Sequence, residues 1–506
     1  MSGPATPFAR LRTALTDPAR RERTVIVLLA VYWLVWTAYG TISKAPQGLH
    51  PDMTEIVVWS RAPALGYLKH PPVAAWLAAG WFAVFPMAEW TFYLLAMLMP
   101  VAALWIAWRL MADYLDAEKR VAGLALLALV PFFNFHALKY NVNTVLMPLW
   151  AVTTLWFLRS YRTRSAGYAA LAGLGAALSM LGKYWSVFLI AGLVVAALAD
   201  RRRSAYFRSP APWITIAVGL VAMAPHLWWL VDSDFAPFTY AMSVHGEKSL
   251  AIAAESTLGY LGGSLGYVAV PLVIVLVMAR RPAVLAGPWV ADGERRLVLA
   301  AFWAPLLLPV VGAIAGDTAI TSLWSMSAWT LLPVALLAPV ALTVRPRDTE
   351  RLLMLAVALP LVMLVVSPAI AWFTRDKARP VEAQAQLLAR EVDRIWRLTT
   401  PLPLRFVGGD PGVAYGVVTW SADRPRALAN MPAPPAGVLR RDGVAIVCLT
   451  EDTGCKANAA KAAGRTAGSR VIVSTIVRGF WGRLGKPQSY TITLVPPEVR
   501  NSSRPS

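Results

Sequence analysis

The sequence is poor in charged residues and in cysteine. Only 15% of its 506 residues are charged, against about a quarter in an average soluble domain. Hydrophobic residues make up 57%, which excludes an ordinary soluble protein. Two thiols are too few for a structural zinc site of their own. Both cysteines, Cys448 and Cys455, lie in the polar C-terminal region, where a local disulfide and two free thiols both fit the pattern.

Acidic residues are scarce relative to basic ones. The chain has 28 Asp and Glu against 48 Lys and Arg, a formal net charge of +20. On a soluble chain this balance would suggest nucleic-acid binding. Here the basic residues collect beside apolar runs, where they set membrane topology and meet anionic head groups. We therefore expect the basic residues to contact the lipid bilayer and not a nucleic acid.

Long apolar runs recur through the first 373 positions. Most approach or exceed ~18 residues, enough to cross a hydrocarbon layer of ~30 Å, and they predict a polytopic α-helical membrane protein with about 11 to 13 transmembrane helices. The predicted organisation is a cytoplasmic basic tail (1–23), a transmembrane domain (24–373) with its first outward loop at 43–71, and a small soluble domain (374–506). The predicted spans are 24–42, 72–87, 91–110, 121–135, 142–158, 167–181, 183–199, 212–231, 262–279, 297–316, 322–343 and 351–373.

Clusters of arginine orient these spans. We interpret the clusters at 159–164, 201–203, 280–296 and 345–351 as cytoplasmic, so that the turn at 183–184 and the C-terminal region face the periplasm. Five spans before Arg159 would put that cluster outside. One predicted span between 91 and 158 is therefore wrong, or one segment is re-entrant. The polar stretch PFFNFHALKYNVN (131–143) is the favoured position of the break, since polar backbone at that depth needs protein or water around it.

The composition changes near residue 375. The segment VEAQAQLLAREVDRIWRL has the periodicity of an amphipathic helix. Four later segments, LRFVGGD, GVAIVCL, RVIVSTIVRGFWG and SYTITLVP, are typical of short strands separated by Gly, Pro and Asn turns. Together they predict a small α/β or α+β domain, followed by a loose tail at 501–506.

The first outward loop holds the strongest candidates for chemistry. Asp52 and Glu55 could act as a base toward an acceptor hydroxyl or stabilise a developing positive charge. The alternative is that both are solvated loop acids or an N-terminal helix pair, with Asp52 as the N-cap. Lys69 and His70 precede a double proline and could meet the charge of a phosphate. Interfacial lysines also bind head groups without catalysis.

Further polar residues interrupt the apolar sequence. Lys183 lies on an outward turn and is a second phosphate candidate. Four polar residues within eight positions favour a cavity, because such groups are expensive in a bilayer unless they line one or pair; they are His136, Lys139, Asn141 and Asn143. The segment 225–250 contributes His226 and His245 beside acidic residues. It could bind a divalent ion, but its spacing matches no compact metal motif, so a loop that folds over the site is the favoured role.

The later spans lack charge in their interiors. Ion-coupled and proton-coupled transporters usually keep charged residues near the midplane of the membrane. A lipid-linked sugar flippase or transporter without transfer chemistry nevertheless remains the first alternative to an enzyme. A non-catalytic assembly or sensor protein, with the C-terminal domain as its working part, is the second.

The order of these features resembles the GT-C fold glycosyltransferases, in particular the bacterial relatives of protein O-mannosyltransferases and of the aminoarabinose transferase that modifies lipid A. The resemblance covers residues 24 to 250 and depends on Asp52 with Glu55, Gly66-Tyr67 and Lys69-His70-Pro71-Pro72. Residues 135–160 and the turn Gly182-Lys183-Tyr184-Trp185 are similar to two further segments. The family commonly has an adjacent Asp-Glu pair, whereas Met53 and Thr54 intervene here, which leaves the role of Glu55 less defined than that of Asp52.

The resemblance implies an inverting glycosyltransferase of the bacterial inner membrane with its site on the periplasmic face. Its donor would be a sugar linked to a polyprenyl phosphate, here undecaprenyl phosphate, and its acceptor a lipid, glycan or protein. Asp52 would be the base or electrostatic stabiliser, assisted by Glu55. Lys69, His70, Lys183 and Tyr184 would hold the donor phosphate. Remaining candidates for cavity or substrate contacts are Arg61, Tyr67, His136, Lys139, Asn141, Asn143, His226 and His245, and a divalent metal ion is left open.

Overall fold

The computed structural model describes residues 6–246, 249–289, 292–435, 437–464 and 468–498. The chain divides into two compact units. Unit 1 contains the described residues of 1–39, 69–74 and 93–365, and unit 2 those of 40–68, 75–92 and 366–506. Residues 43–68 of the first outward loop thus belong to the same unit as the C-terminal domain, whereas residues 69–71 belong to unit 1. The predicted boundary at residue 374 stays a prediction.

The helices, in chain order, begin and end as follows: α1 Pro7–Thr16, α2 Arg21–Lys44, α3 Pro51–Ser60, α4 Val73–Val84, α5 Glu89–Met111, α6 Ala117–Ala128, α7 Val142–Thr163, α8 Ala166–Gly182, α9 Val187–Ala199, α10 Arg203–Phe207, α11 Ala211–Asp232, α12 Ala236–His245, α13 Leu250–Ala279, α14 Asp292–Ala315, α15 Leu332–Leu337, α16 Pro346–Thr374, α17 Pro380–Thr399, α18 Pro411–Trp420, α19 Val438–Asp442 and α20 Thr453–Ala463.

Membrane-spanning helices dominate unit 1. In the described ranges, α2, α5, α11, α13, α14 and α16 are long and apolar enough to cross a bilayer, and a bent pair formed by α6 and residues 131–138 makes a seventh. Shorter apolar helices cover 73–84, 166–182, 184–199 and 328–337. Apolar side chains on these helices point outward, for example Val277 at 71% exposure, as expected for contact with lipid. The predicted polytopic helical class is confirmed.

Ion pairs show which helix ends share a side of unit 1. Glu22 at the start of α2 lies 3.6 Å from Arg109 at the end of α5, so these two helices are antiparallel and the chain makes no net crossing between them. The 12 residues of α4 span only about 18 Å, less than the hydrocarbon layer. Of the five spans predicted before Arg159, the one that does not cross the membrane is therefore 72–87. The prediction that it lies between 91 and 158 is wrong.

The arginine clusters form part of the same ionic layer. Arg159 donates to Asp113 at 2.9 Å, just after α5. The N-terminal helix joins this layer through Arg12, whose Nε lies 3.2 Å from Glu350. The clusters at 159–164 and 345–351 thus each lie beside a carboxylate partner or contain one, and Arg12 of the N-terminal helix lies beside the second cluster.

Two predicted spans are interrupted. The chain bends by 76° between α6 and residues 131–138, inside the stretch predicted to be broken, where two 3₁₀ turns replace regular helix. The predicted span 322–343 is also not one helix. It consists of 3₁₀ turns at Ser322–Ser325 and Ala328–Leu331 followed by the short α15, and Pro339 follows closely where a helix could not continue undistorted.

Unit 2 contains a five-stranded sheet. Its strands are β1 Phe406–Gly409, β2 Arg426–Ala427, β3 Val444–Leu449, β4 Arg470–Ile476 and β7 Gln488–Val495, in the order β2-β1-β3-β7-β4. A separate pair, β5 Gly479–Phe480 and β6 Arg483–Leu484, forms a small hairpin. Strands β1, β2 and β3 are parallel, and β7 is antiparallel to β3 and β4. The predicted α/β character is confirmed.

Helix α17 covers this sheet as its pattern predicts. Its buried side chains include Leu388, Val392, Ile395 and Trp396, a spacing that puts them on one face. Each contributes about 1.5–3 kcal/mol when buried. Cys448 on β3 is bonded to Cys455 on α20, so the two cysteines attach that helix to the sheet.

Candidate active site

The candidate carboxylates lie at the start of α3 in unit 2. His50 is the N-cap, and its Nδ1 accepts a hydrogen bond from the Asp52 backbone N–H at 3.1 Å. Pro51 occupies the first helical position, where its missing N–H costs nothing. Asp52 is therefore the second helical residue, in the first turn of α3, and not its N-cap; the alternative that the two acids are an N-terminal helix pair is consistent with this position. Its carboxylate lies 3.5 Å from His50 Nδ1 and is 41% exposed.

Glu55 differs from Asp52 in accessibility. It is three residues later on the same helix, and its Oε1 is fully buried. The residues that follow it on α3, from Ile56 to Trp59, are also buried. Glu55 is itself half-buried with one carboxylate oxygen covered, whereas the Asp52 side chain is 41% exposed.

Arg61 and Tyr67 stabilise the fold of unit 2. Arg61 donates to the backbone oxygens of Val418 and Thr419, the latter at 3.0 Å, at the end of α18 where carbonyls lack partners within the helix. Burial lowers the pKa of Arg61 to about 10, and the charge of Arg424 acts in the same direction. Their roles as substrate contacts stay predictions.

The ring of Tyr67 lies against Trp59. The two rings are stacked with centroids 5.1 Å apart, and the Tyr67 hydroxyl donates to the Trp59 oxygen at 2.9 Å. Burial raises the pKa of Tyr67 to about 12. The loop between α3 and Lys69 is therefore closed on itself by this pair.

A cationic centre lies in unit 1 at the turn between α8 and α9. Lys183 Nζ donates to Asn143 Oδ1 at 2.9 Å and lies 4.5 Å from the centroid of the Trp324 ring and 5.8 Å from that of Trp185. Both rings are within cation–π range. Asn143 is in the first turn of α7, whose N-terminus carries a partial positive charge. An ammonium and a helix N-terminus at one place favour an anionic ligand.

Tyr184 extends this centre toward α11 and α12. Its hydroxyl is 3.0 Å from His226 Nε2, and its ring stacks on Phe238 at 4.8 Å. His226 is 2% exposed and stacks on Trp229. Lys69 Nζ lies 5.7 Å from the ring centroid of Tyr240, also on α12. The structure thus brings Lys69, Lys183, Tyr184, Asn143 and His226 to neighbouring elements; we call these five residues the cationic centre.

The remaining polar candidates of unit 1 have different settings. His136 packs among Phe132 and Tyr267, with centroids 5.6 and 4.9 Å away. Asn141 caps α7 through a capping box, and the backbone oxygen of Lys139 accepts from Thr144. His70 is half-buried beside Lys69. Asn141 is in a structural position, and its contact with substrate stays a prediction.

Two candidates remain, a substrate contact by His245 and a divalent metal ion. The side chain of His245, at the end of α12, lies outside the described residues. Within the ranges that the structure describes, no three His, Cys, Asp or Glu side chains lie close enough to hold a metal ion.

Several residues that contact the candidate site residues were not identified from the sequence. Trp324 is the aromatic partner of Lys183, Phe238 that of Tyr184 and Tyr240 that of Lys69. Each lies more than 50 positions after its partner along the chain, and no local pattern links them. His50 did carry a signal, because a polar residue before proline at a helix start is a capping pattern.

Comparisons with known proteins agree with this architecture. A family model described as dolichyl-phosphate-mannose-protein mannosyltransferase matches residues 69–229, a segment that contains Lys69 and Lys183 but begins after Asp52. The lipopolysaccharide core galacturonosyltransferase RgtB of Rhizobium johnstonii is 26% identical over 334 residues, 63% of this chain and 66% of that protein. The lipid A galacturonosyltransferase RgtD of the same organism is 24% identical over 56% of this chain and 60% of that protein. The chain thus matches slightly less than two thirds of the length of these relatives.

Two crystal structures of ArnT from Cupriavidus metallidurans share the fold. The one bound to undecaprenyl phosphate has a TM-score of 0.57 at 15% identity and covers 95% of this chain and 99% of ArnT. The apo structure has a TM-score of 0.58 at 14% identity and covers 92% and 97%. The likeness extends through the transmembrane helices and the C-terminal domain.

Proposed function

We propose that this chain, which shares the GT-C fold of ArnT and matches the mannosyltransferase family model over residues 69–229, is a glycosyltransferase that transfers a sugar from a polyprenyl-phosphate donor to an acceptor. The proposed donor lipid is undecaprenyl phosphate, the lipid bound to the ArnT relative. The proposed location is the bacterial inner membrane, with the site on the periplasmic face. The observation that carries the proposal is the cationic centre around Lys183.

The cationic centre suits a phosphate leaving group. A phosphate that departs from a sugar gains negative charge, and Lys183 supplies an ammonium that Asn143 and Trp324 hold in place. The N-terminus of α7 adds positive potential at the same point, and Tyr184 contributes a hydroxyl. We assign Lys183 and Tyr184, with Lys69 and His70, to the donor phosphate.

The proposed chemistry is a single displacement. The acceptor hydroxyl gives its proton to the Asp52 carboxylate as its oxygen attacks the anomeric carbon. The bond from that carbon to the phosphate oxygen breaks on the opposite face, so the configuration inverts, and the electron pair leaves with the polyprenyl phosphate. Asp52 is favoured over Glu55 as the base because its side chain is 41% exposed, whereas one carboxylate oxygen of Glu55 is covered; a base must lie within hydrogen-bond reach of the hydroxyl.

The acceptor is proposed from the relatives. RgtB and RgtD are named for the lipopolysaccharide core and lipid A, which favours an acceptor of this glycolipid class over a protein. The sugar is proposed to be a hexose or pentose derivative, with a uronic acid favoured by the same names.

The test compares Asp52→Asn with the native chain in membranes supplied with a radiolabelled polyprenyl-phosphate sugar. Asn keeps the size of the side chain and removes its basicity, so transfer should fall by about 100-fold or more. Glu451→Gln is the matched control, because it neutralises an exposed carboxylate of the same unit. Native-like transfer by Asp52→Asn at equal expression would remove Asp52 from the reaction.

A further inference from the structure

A basic cavity lies in unit 2 directly after the last spanning helix. Its volume is about 440 Å³, the size range of sites for small ligands. Its charged lining residues are Arg375, Asp376, Arg478, Arg483 and Lys486. Four cations and one carboxylate give the lining a net charge of 4 − 1 = +3.

The walls of this cavity are fixed by hydrogen bonds. Arg478 donates to the backbone oxygens of Ala45 at 2.6 Å and Ala383 at 2.8 Å. Gln384 donates to the backbone oxygen of Lys486 at 2.8 Å. The cavity is thus a built feature of unit 2 whose basic side chains start from fixed backbone positions.

Arg375 is a buried cation in the wall of the cavity, and its Nη1 donates to the backbone oxygen of Trp372. Its side chain is 8% exposed, and its guanidinium packs 3.6 Å from the centroid of the Trp372 ring. Among the described residues its Nε makes no hydrogen bond, and the nearest carboxylate oxygen, from Asp376, is 3.8 Å away. The Nε atom is covered, so Arg375 contributes positive charge to the wall of the cavity and not an accessible donor, and this charge favours an anionic ligand.

Residues typical of a membrane interface surround the cavity. Trp372 is in the last turn of α16, a helix that can span the bilayer, and it stacks on Trp481 at the tip of the β5–β6 hairpin with centroids 6.4 Å apart. Phe373, Trp481 and Leu484 are 75%, 52% and 78% exposed. Exposed aromatic residues beside arginines at the end of a span are typical of the membrane interface.

We propose that this cavity binds the phosphate of an anionic phospholipid head group, while Trp481 and Leu484 contact the adjoining acyl region. The site is distinct from the cationic centre and does not depend on the proposed transfer chemistry. It would fix unit 2 at the membrane surface through a lipid of the surrounding leaflet.

The test measures lipid binding to the full-length chain by native mass spectrometry in a non-ionic detergent. The probes are dioctanoyl phosphatidylglycerol, dioctanoyl phosphatidylcholine and inorganic phosphate as a competitor. Arg483→Gln/Lys486→Gln removes two exposed charges of the cavity. Arg379→Gln is the matched control, since it removes an 81% exposed charge of the same region that does not line the cavity.

Phosphatidylglycerol is expected to bind more tightly than phosphatidylcholine. Its affinity should fall about fivefold for each charge removed, and therefore about 25-fold in the double variant. In the control variant the affinity should fall by less than about twofold. The proposal is overturned if Arg379→Gln weakens binding as much as the double variant, or if the two lipids bind equally. Displacement of phosphatidylglycerol by an equal concentration of inorganic phosphate would assign the cavity to free phosphate and would also overturn it.

Discussion

Substitution of Lys183 by methionine is the sharpest perturbation of the cationic centre. Methionine retains the length of the side chain and can still pack on Trp324, but it removes the ammonium. If Lys183 makes a charge-assisted hydrogen bond to the donor phosphate, its loss costs about 1.5–3 kcal/mol. We expect kcat/KM for the donor to fall by about 10- to 150-fold.

Asn143→Ala provides the second arm of this experiment. Asn143 accepts from Lys183 at 2.9 Å, so its removal loosens the ammonium without deleting it, and a fall of about 2- to 10-fold is expected. If Asn143 acts only by positioning Lys183, adding Asn143→Ala to the Lys183→Met variant should change nothing further. Strict additivity of the two effects would contradict that positioning role.

The assay is the initial rate of transfer by the purified full-length chain at varied donor concentration. Lys461→Met, at an exposed lysine of α20, controls for the loss of charge and for the new methionine. Donor kcat/KM within twofold of native for Lys183→Met would refute the assignment of Lys183 to the donor phosphate.

Two further predictions concern unit 2. Cys448→Ala/Cys455→Ala should lower the stability of unit 2 by about 2–3 kcal/mol, because the short loop that the disulfide closes regains entropy when unfolded. Limited proteolysis with and without reductant measures this effect, and equal protection of unit 2 in both conditions would contradict it. Gly48→Ala should destabilise the contact with α17, because Gly48 has φ +71° and an added Cβ would lie 2.3 Å from a backbone oxygen of that helix. Gly437→Ala, with φ +81° and open space around it, should cost less in the same thermal-shift assay, and an equal cost would attribute the effect to backbone strain alone.

Much of the fold could be predicted from the sequence, because apolar runs and arginine clusters are local signals. The amphipathic helix at 380–399 and four of the strands appear where their patterns lie. Helix length was harder to predict. The apolar run at 72–87 continues through Phe85 and Pro86, but the helix ends at Val84, and hydropathy does not detect that end. The run at 322–343 is equally apolar, yet it is divided into short turns.

The candidate site could be predicted only in part. The residue types of Lys69, Lys183 and Asp52 indicated the roles proposed for them, which stay predictions. Their partners come from distant segments, so no spacing rule could find them. The packing of Arg61 could not be predicted for the same reason, because its guanidinium donates to a carbonyl some 357 positions later; its contact with substrate stays a prediction.

The central claim is that this chain breaks a sugar–phosphate bond and forms a new glycosidic bond. The most direct measurement supplies the purified chain, in lipid vesicles, with an undecaprenyl-phosphate sugar doubly labelled in the sugar and the lipid, and a lipid A acceptor. We predict release of undecaprenyl phosphate that depends on the acceptor, with the sugar recovered on the acceptor in inverted configuration. Movement of the intact donor across the vesicle bilayer, with both labels still joined, would contradict the account and identify a transporter.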